Sequence, residues 1–237
     1  MRLLIRDEFA VELSQDQVRR VLRDKLNMRF GKRYPRDYRR PKDAEERLEG
    51  ELGKALRDLD EEEIGIGFID ETSPQTTANT VRVWWSFGKP VIAKNTTRLK
   101  ANAMGFYPLR GKAVIYLGKD SKEGTFIEFL KVLRGKNPDY KAMVLILDNF
   151  PTHLSRKVRK EARRPGIRLV YLPPYSPDLN PIEFIWKSIK RIISLTFILG
   201  LDALRELIKE WFMQLASRLS FANAWIERFL PSMKFCH

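Results

Sequence analysis

Cysteine is nearly absent from this 237-residue chain, and its one copy, Cys236, stands next to the C-terminus. A single thiol cannot form an intramolecular disulfide and provides no cysteine-based zinc site. Histidine is almost as scarce, with only His153 and His237, too few for a histidine cage around a metal. A catalytic metal would have to be held mainly by carboxylates, which suits hard ions such as magnesium or manganese. No apolar run of 18 residues occurs, and the opening MRLLIRDEFAVEL mixes charges into its apolar residues. Neither a membrane span nor a signal peptide is read, and a soluble cytoplasmic protein is expected.

Positive charge, by contrast, is abundant. Against 30 Asp and Glu stand 44 Lys and Arg, for a net charge of +14 and a pI near 9.9, with an ordinary 43% of hydrophobic residues. Such a balance attracts polyanions, and nucleic acid is the commonest inside a cell. The charge is unevenly spread: 13 basic and 6 acidic side chains in residues 1 to 42, 3 and 10 in residues 43 to 63, then 28 and 14 to the end. A basic head and a basic body are joined by an acidic segment.

In the head, LSQDQVRRVLRDKL predicts a helix: Ser14 and Gln17 form a capping box, and Val18, Val21, Leu22 and Leu26 line one face. A short helix over 2 to 9 precedes it, so the pair resembles a helix-turn-helix with a basic wing or linker after it. Arg19, Arg20 and Arg23 are its candidate DNA contacts, although two small helices with solvated arginines explain them equally. Two helices enclose little core, so the head reads as the end of a DNA-binding domain. The domain division expected is a partial helix-turn-helix segment and linker over 1–40, a connecting helix over 41–63 and a catalytic body over 64–237. Pro41 suits a first helical position, with Leu48, Leu52, Leu56 and Leu59 repeating at helical spacing up to about residue 60.

The body begins with predicted strands at 64–70 (IGIGFID), 81–88 (VRVWWSFG) and 112–118 (KAVIYLG). Trp84 and Trp85 are consecutive in the second, so one should be core and the other free to meet a partner. A helix at about 123–134, a strand at 142–148, a helix at 152–163, a strand at 166–172 and helices at 181–195 and 201–218 follow. This βββαβαβαα order predicts an α/β fold with a mixed sheet.

Two of these strands end in an acid after an apolar run, Asp70 and Asp148. A carboxylate just beyond a buried strand is expensive without a partner, although each would also serve as a turn residue or helix cap. If the strands are parallel neighbours, their ends lie about 5 Å apart and both acids can share metal ions. A third acid, Glu183, follows YLPPYSPDLNPIE. There NPIE places Asn180 at N-cap, Pro181 at N1 and Glu183 at N3, which is the layout of a capping box. Capping does not explain the rigid PPYSPDL before it; a pre-organised loop setting a helix's first turn against the strand ends explains both. Glu71 turns to the opposite face from Asp70 by strand alternation, and Asp178 sits in mid-loop, so neither is counted among the site acids.

FIDET, LDNFPTHLS and YLPPYSPDLNPIEFIWKSIKR together closely resemble the DDE transposases of the mariner-related superfamily, in particular the bacterial and archaeal insertion-sequence group. The 34 residues between Asp148 and Glu183 are the spacing common to that superfamily. The resemblance covers residues 64 to about 195 well and the head more weakly. It implies an RNase H-like mixed β-sheet flanked by helices, with Asp70, Asp148 and Glu183 as a metal-binding triad for two Mg2+ ions, or Mn2+ in their place. Asp70 would bridge the ions, with Asp148 and Glu183 completing one each. Cleavage and strand transfer at element ends would follow, on double-stranded DNA, by a homodimer, with a TA target implied by the family alone. Asn149 and His153 become near-site residues, the histidine touching DNA or orienting a neighbour; otherwise it is a helix-start residue bonded to backbone.

The basic run SRKVRKEARRPGIR places Arg156, Lys157, Arg159 and Lys160 soon after Asp148, and Lys187, Lys190 and Arg191 share Glu183's helix face. Both groups are solvated faces or phosphate contacts. A second reading of the whole is a truncated element product that binds DNA, or dimerises with a full-length transposase, without completing the reaction.

Overall fold

The computed structural model describes residues 2–29, 37–76, 91, 95 and 97–235, and the chain divides into two compact units, Met1–Arg36 and Asp37–His237. The strand expected at 81–88, with Trp84 and Trp85, lies outside the described residues, as do Cys236 and His237. Among the described residues no helix is long and apolar enough to cross a membrane.

The first unit holds α1 (Arg2–Phe9) and α2 (Gln15–Arg20), the latter continued by a π-helical turn over Val21–Lys25. Both halves of the capping box form: Gln17 N–H donates to Ser14 Oγ at 3.2 Å, and Ser14 N–H donates to Gln17 Oε1 at 2.8 Å. The apolar stripe does not stay on one face. Val18 is buried whereas Val21, where the π turn begins, and Leu26, just after it, are exposed.

In the second unit a five-stranded sheet has the order β3-β2-β1-β4-β5, from β1 (Ile64–Thr72), β2 (Asn102–Arg110), β3 (Val114–Gly118), β4 (Ala142–Leu147) and β5 (Ile167–Tyr171). The first three strands form an antiparallel meander, and β4 and β5 join parallel on the other side of β1. On one face lie α4 (Glu123–Lys136) and α5 (Arg156–Arg163); on the other, α3 (Ala44–Leu56), α6 (Ile182–Leu195), α7 (Leu201–Ala216) and α8 (Asn223–Phe229). Strand alternation sorts the core: Ile64, Ile66, Phe68, Val144 and Ile146 face α6 and α7, while Ile69, Leu145 and Leu147 face α4 and α5.

Strand β2 was not anticipated, because Gly105 and Pro108 argue against a central strand. Pro108 is accommodated by a bulge, the register shifting between Ile66 and Gly67 just opposite it. Gly105 is required by packing: a Cβ there would lie 2.5 Å from the Phe212 ring and 2.8 Å from Trp186, the pair of stacked rings that joins α7 and α6. The helix expected from residue 41 begins instead at Ala44, and it buries Ala44, Leu48 and Leu52 in the core beside β5. The helix expected from 152 begins at Arg156, with Ser155 Oγ accepting from Val158 N–H. α8 was also missed; its Trp225 packs edge-on against Phe68 at 4.8 Å.

Candidate active site

Strands β1 and β4 are parallel neighbours with Phe68 opposite Ile146, so Asp70 and Asp148, each two residues further, leave the pair level and on one face. Strand β1 does not stop at Asp70. It runs to Thr72, still paired with β2, Asp70 opposite Gly105, and only its pairing with β4 ends before the acid. Asp70, Asp148 and Glu183 line one cavity of about 410 Å³, walled by Asn149, Asn180 and the loop 173–177. Among the described residues no three His, Cys, Asp or Glu side chains converge closely enough to hold a single metal ion. Burial, and then the negative charges of Glu183 and Asp148, push the Asp70 carboxyl well above its usual range.

The proline-rich loop is tied down at every few residues. Leu172 N–H donates to Leu147 O at 2.8 Å, Asn149 Nδ2 donates to Leu172 O, and a 3-10 turn spans Pro177–Leu179. Leu179 O accepts from Trp225 Nε1 at 3.0 Å. Tyr175, at φ 56°, carries the Arg39 guanidinium 3.9 Å from its ring centre. Asp178 pairs at 3.2 Å with Arg40, which is buried and also holds Glu45 at 2.9 Å.

The capping box expected at Asn180 is not what the amide does. Helix α6 starts at Ile182 without a side-chain cap, and Asn180 Nδ2 instead donates 3.3 Å to Ile69 O, the carbonyl next to Asp70. Its Oδ1 is buried, without a partner, in the cavity wall. The loop thus docks Glu183's helix onto strand β1.

His153 sits in a turn and not at a helix start, its N–H donating to Phe150 O at 2.8 Å and its carbonyl accepting from Tyr171 OH at 2.8 Å. Its ring packs 4.3 Å from that of Phe126. Nδ1 meets Asp148 Oδ1 at 2.9 Å, and Nε2 meets Glu71 Oε1 at 3.3 Å. Burial alone would lower the imidazole's pKa, but the two carboxylates outweigh it and raise the group to about 9. Asp148 is the mirror case: burial works upward, and the imidazole with Phe150 N–H holds the carboxyl below its usual range. Sequence alternation put Glu71 on the far face from Asp70, and the contact with His153 is what that reading missed. The signal was available in part, since Glu71 adjoins Asp70 in the chain and His153 lies five residues after Asp148.

Residues 66–205 match the family described as DDE superfamily endonuclease, more than half of the chain. The chain belongs to the DDE superfamily endonucleases. Among curated relatives, it is 32% identical over 85 residues to the "Insertion element IS630 uncharacterized 39 kDa protein" of Shigella sonnei, covering 35% of this chain and 25% of that protein. To the "Transposable element Tcb2 transposase" of Caenorhabditis briggsae it is 41% identical over 51 residues, 22% of this chain and 19% of the other. These matches span a quarter or less of each relative. The fold is that of the Mos1 mariner transposase: the catalytic domain superposes with TM-score 0.54 at 15% identity over 87% of this chain and all of that one. The Mos1 paired-end complex with left transposon end gives TM-score 0.61 at 16% identity, over 99% of this chain and 78% of that one. The RNase H-like fold is therefore established.

The basic candidates of this DDE endonuclease are exposed. Arg156, Lys157, Arg159 and Lys160 stand on α5 around buried Val158 and Ala162, with Lys157 3.5 Å from Glu123. Lys187, Lys190 and Arg191 are exposed on α6, Lys187 lying 5.2 Å from the Phe184 ring centre. In the first unit Arg19, Arg20 and Arg23 are also exposed, Arg19 and Arg23 beside Asp16 and Asp24.

Proposed function

We propose that this DDE endonuclease is a DNA transposase that cleaves and transfers strands at element ends, using two divalent cations held by Asp70, Asp148 and Glu183. The observation that carries the reading is the shared cavity, in which a partly buried carboxyl lies under the charge of two others. Its donors are hard oxygens, and the buried Asn180 Oδ1 adds an acceptor still lacking a donor; both suit hydrated Mg2+ or Mn2+. A two-ion arrangement would draw on Asp70 together with each of the other two acids. Mos1 complexes have been crystallised with Mg and with Mn.

Bound there, the cations would stabilise charge on the attacking and leaving oxygens of an in-line displacement. The chain's own part is placement. Burial and neighbouring charge favour the neutral form of Asp70, so cation binding there would compete with protonation. Asn180 keeps Glu183's helix against β1, and the rigid loop resists displacement when phosphate enters. The exposed cations of α5 and α6 supply sequence-independent phosphate contacts, with residues 1–40 as a DNA-binding segment and linker and a homodimer as the working assembly.

The test is cleavage of the element's own ends in Mg2+ and Mn2+. Asp148→Asn and Glu183→Gln should each lose cleavage by about a thousandfold or more while keeping DNA binding, and their metal-free melting should stay within a few degrees of wild type. Retained cleavage in either variant would mean that the wrong acids have been chosen. Wild type that binds the ends and cuts nothing would favour the truncated, non-catalytic product.

A further inference from the structure

We propose that Glu71 is a positioning residue that acts through His153 to fix the Asp148 carboxylate for metal binding. This rests on the metal-site reading above. Strand β1 carries both acids: alternation turns Asp70 into the cavity and Glu71 to the α4 and α5 face, where His153 is packed between Phe126 and Phe150. Confinement is tight at Glu71 and His153 and falls only at Asp148. The side chain of His153 is 2% exposed and that of Glu71 12%, but that of Asp148 is 51% exposed.

Left alone, a half-exposed carboxylate at a strand end would rotate freely. Here Oδ1 accepts from His153 Nδ1 at 2.9 Å and from Phe150 N–H at 3.1 Å. Both donors address the same oxygen and neither engages Oδ2, so Asp148, which lines the cavity, keeps one oxygen for a cation. The ring can keep that aim only if its own tilt is set, and Glu71 Oε1 at 3.3 Å from Nε2 sets it from the other side. Carboxylate and histidine partners behind a ligand commonly govern its orientation and are worth about 10–100-fold in metal affinity.

The experiment measures the Mn2+ dissociation constant of the full chain without DNA, by the free-ion paramagnetic resonance signal at one fixed pH, beside metal-free melting. Glu71→Ala should bind Mn2+ at least about tenfold more weakly. Glu71→Gln should stay within about threefold of wild type, because its amide oxygen still accepts from Nε2. That rescue separates orientation from simple loss of stability. Should Glu71→Ala fail to fold, Glu71→Leu fills the space without an acceptor and carries the same expectation. Affinity within twofold of wild type in a folded Ala or Leu variant overturns the proposal, and so does a tenfold loss in Glu71→Gln, which would make charge the cause. If wild type itself binds no Mn2+, the metal-site reading falls together with this one; if it binds and Glu71→Ala binds as well, only the positioning role is lost.

Discussion

The His153 imidazole has its pKa raised to about 9 because two carboxylates, one in β1 and one just past β4, face its two ring nitrogens. With the folded group at about 9 and the unfolded one near 6.5, folding binds the extra proton. The stabilisation is therefore complete below about pH 6.5 and is lost as pH rises through about 9. Metal-free melting of wild type and of His153→Gln should differ most near pH 6, and the gap should close by about pH 9.5. A gap that stays constant or widens over that range would show the imidazole to be uncharged in the folded protein. At this scale one residue type takes unexpected work: Asn180, suited by sequence to cap a helix, spends its amide on the backbone beside Asp70. Local pattern could not reveal that, since the carbonyl it meets lies 111 residues away.

At the scale of elements, helix α6 and strand β2 depend on each other. Helix α6 is amphipathic in the simplest way, burying Ile182, Ile185, Trp186, Ile189 and Ile193, and it was legible from that spacing. Strand β2 was not, because its two weakest strand residues are there for tertiary reasons. Gly105 gives way to Trp186 and Phe212, and Pro108 sits at the bulge. Gly105→Ala should therefore destabilise the protein by about 1–3 kcal/mol, even though alanine is the better residue for a regular backbone. Urea unfolding would register this as a lower midpoint at unchanged slope; a midpoint at or above that of wild type would mean that α6 and α7 can retreat from the strand without cost.

For the molecule as a whole, the net charge of +14 is a statement about partners more than about fold. The α5 cations stand exposed while Val158 and Ala162 anchor the helix to the sheet, so truncating them should leave the core alone. Replacing Arg156, Lys157, Arg159 and Lys160 together with Ala should weaken binding to unrelated duplexes about equally. It should also flatten the salt dependence of log K by about 2–4, since each phosphate contact contributes about 0.9. Unchanged affinity and slope in a filter-binding titration would make this face an ordinary solvated one.

The sequence by itself determined the mixed α/β class, most of the helices and strands of the second unit, and which three acids to examine, although β1 runs past Asp70. Those properties are local: period-2 and period-3.6 burial, capping residues and proline-stiffened backbone act over a few neighbours. Only the tertiary structure decided that a glycine- and proline-bearing segment is the interior strand beside β1, because packing and a bulge override its propensity. It also decided that Arg40 clasps the loop through Asp178, that Asn180 docks α6 on β1, and that Glu71 reaches Asp148 through His153. Each of these joins residues far apart in the chain through buried or part-buried polar contacts, and a buried polar group takes whichever partner the fold brings near.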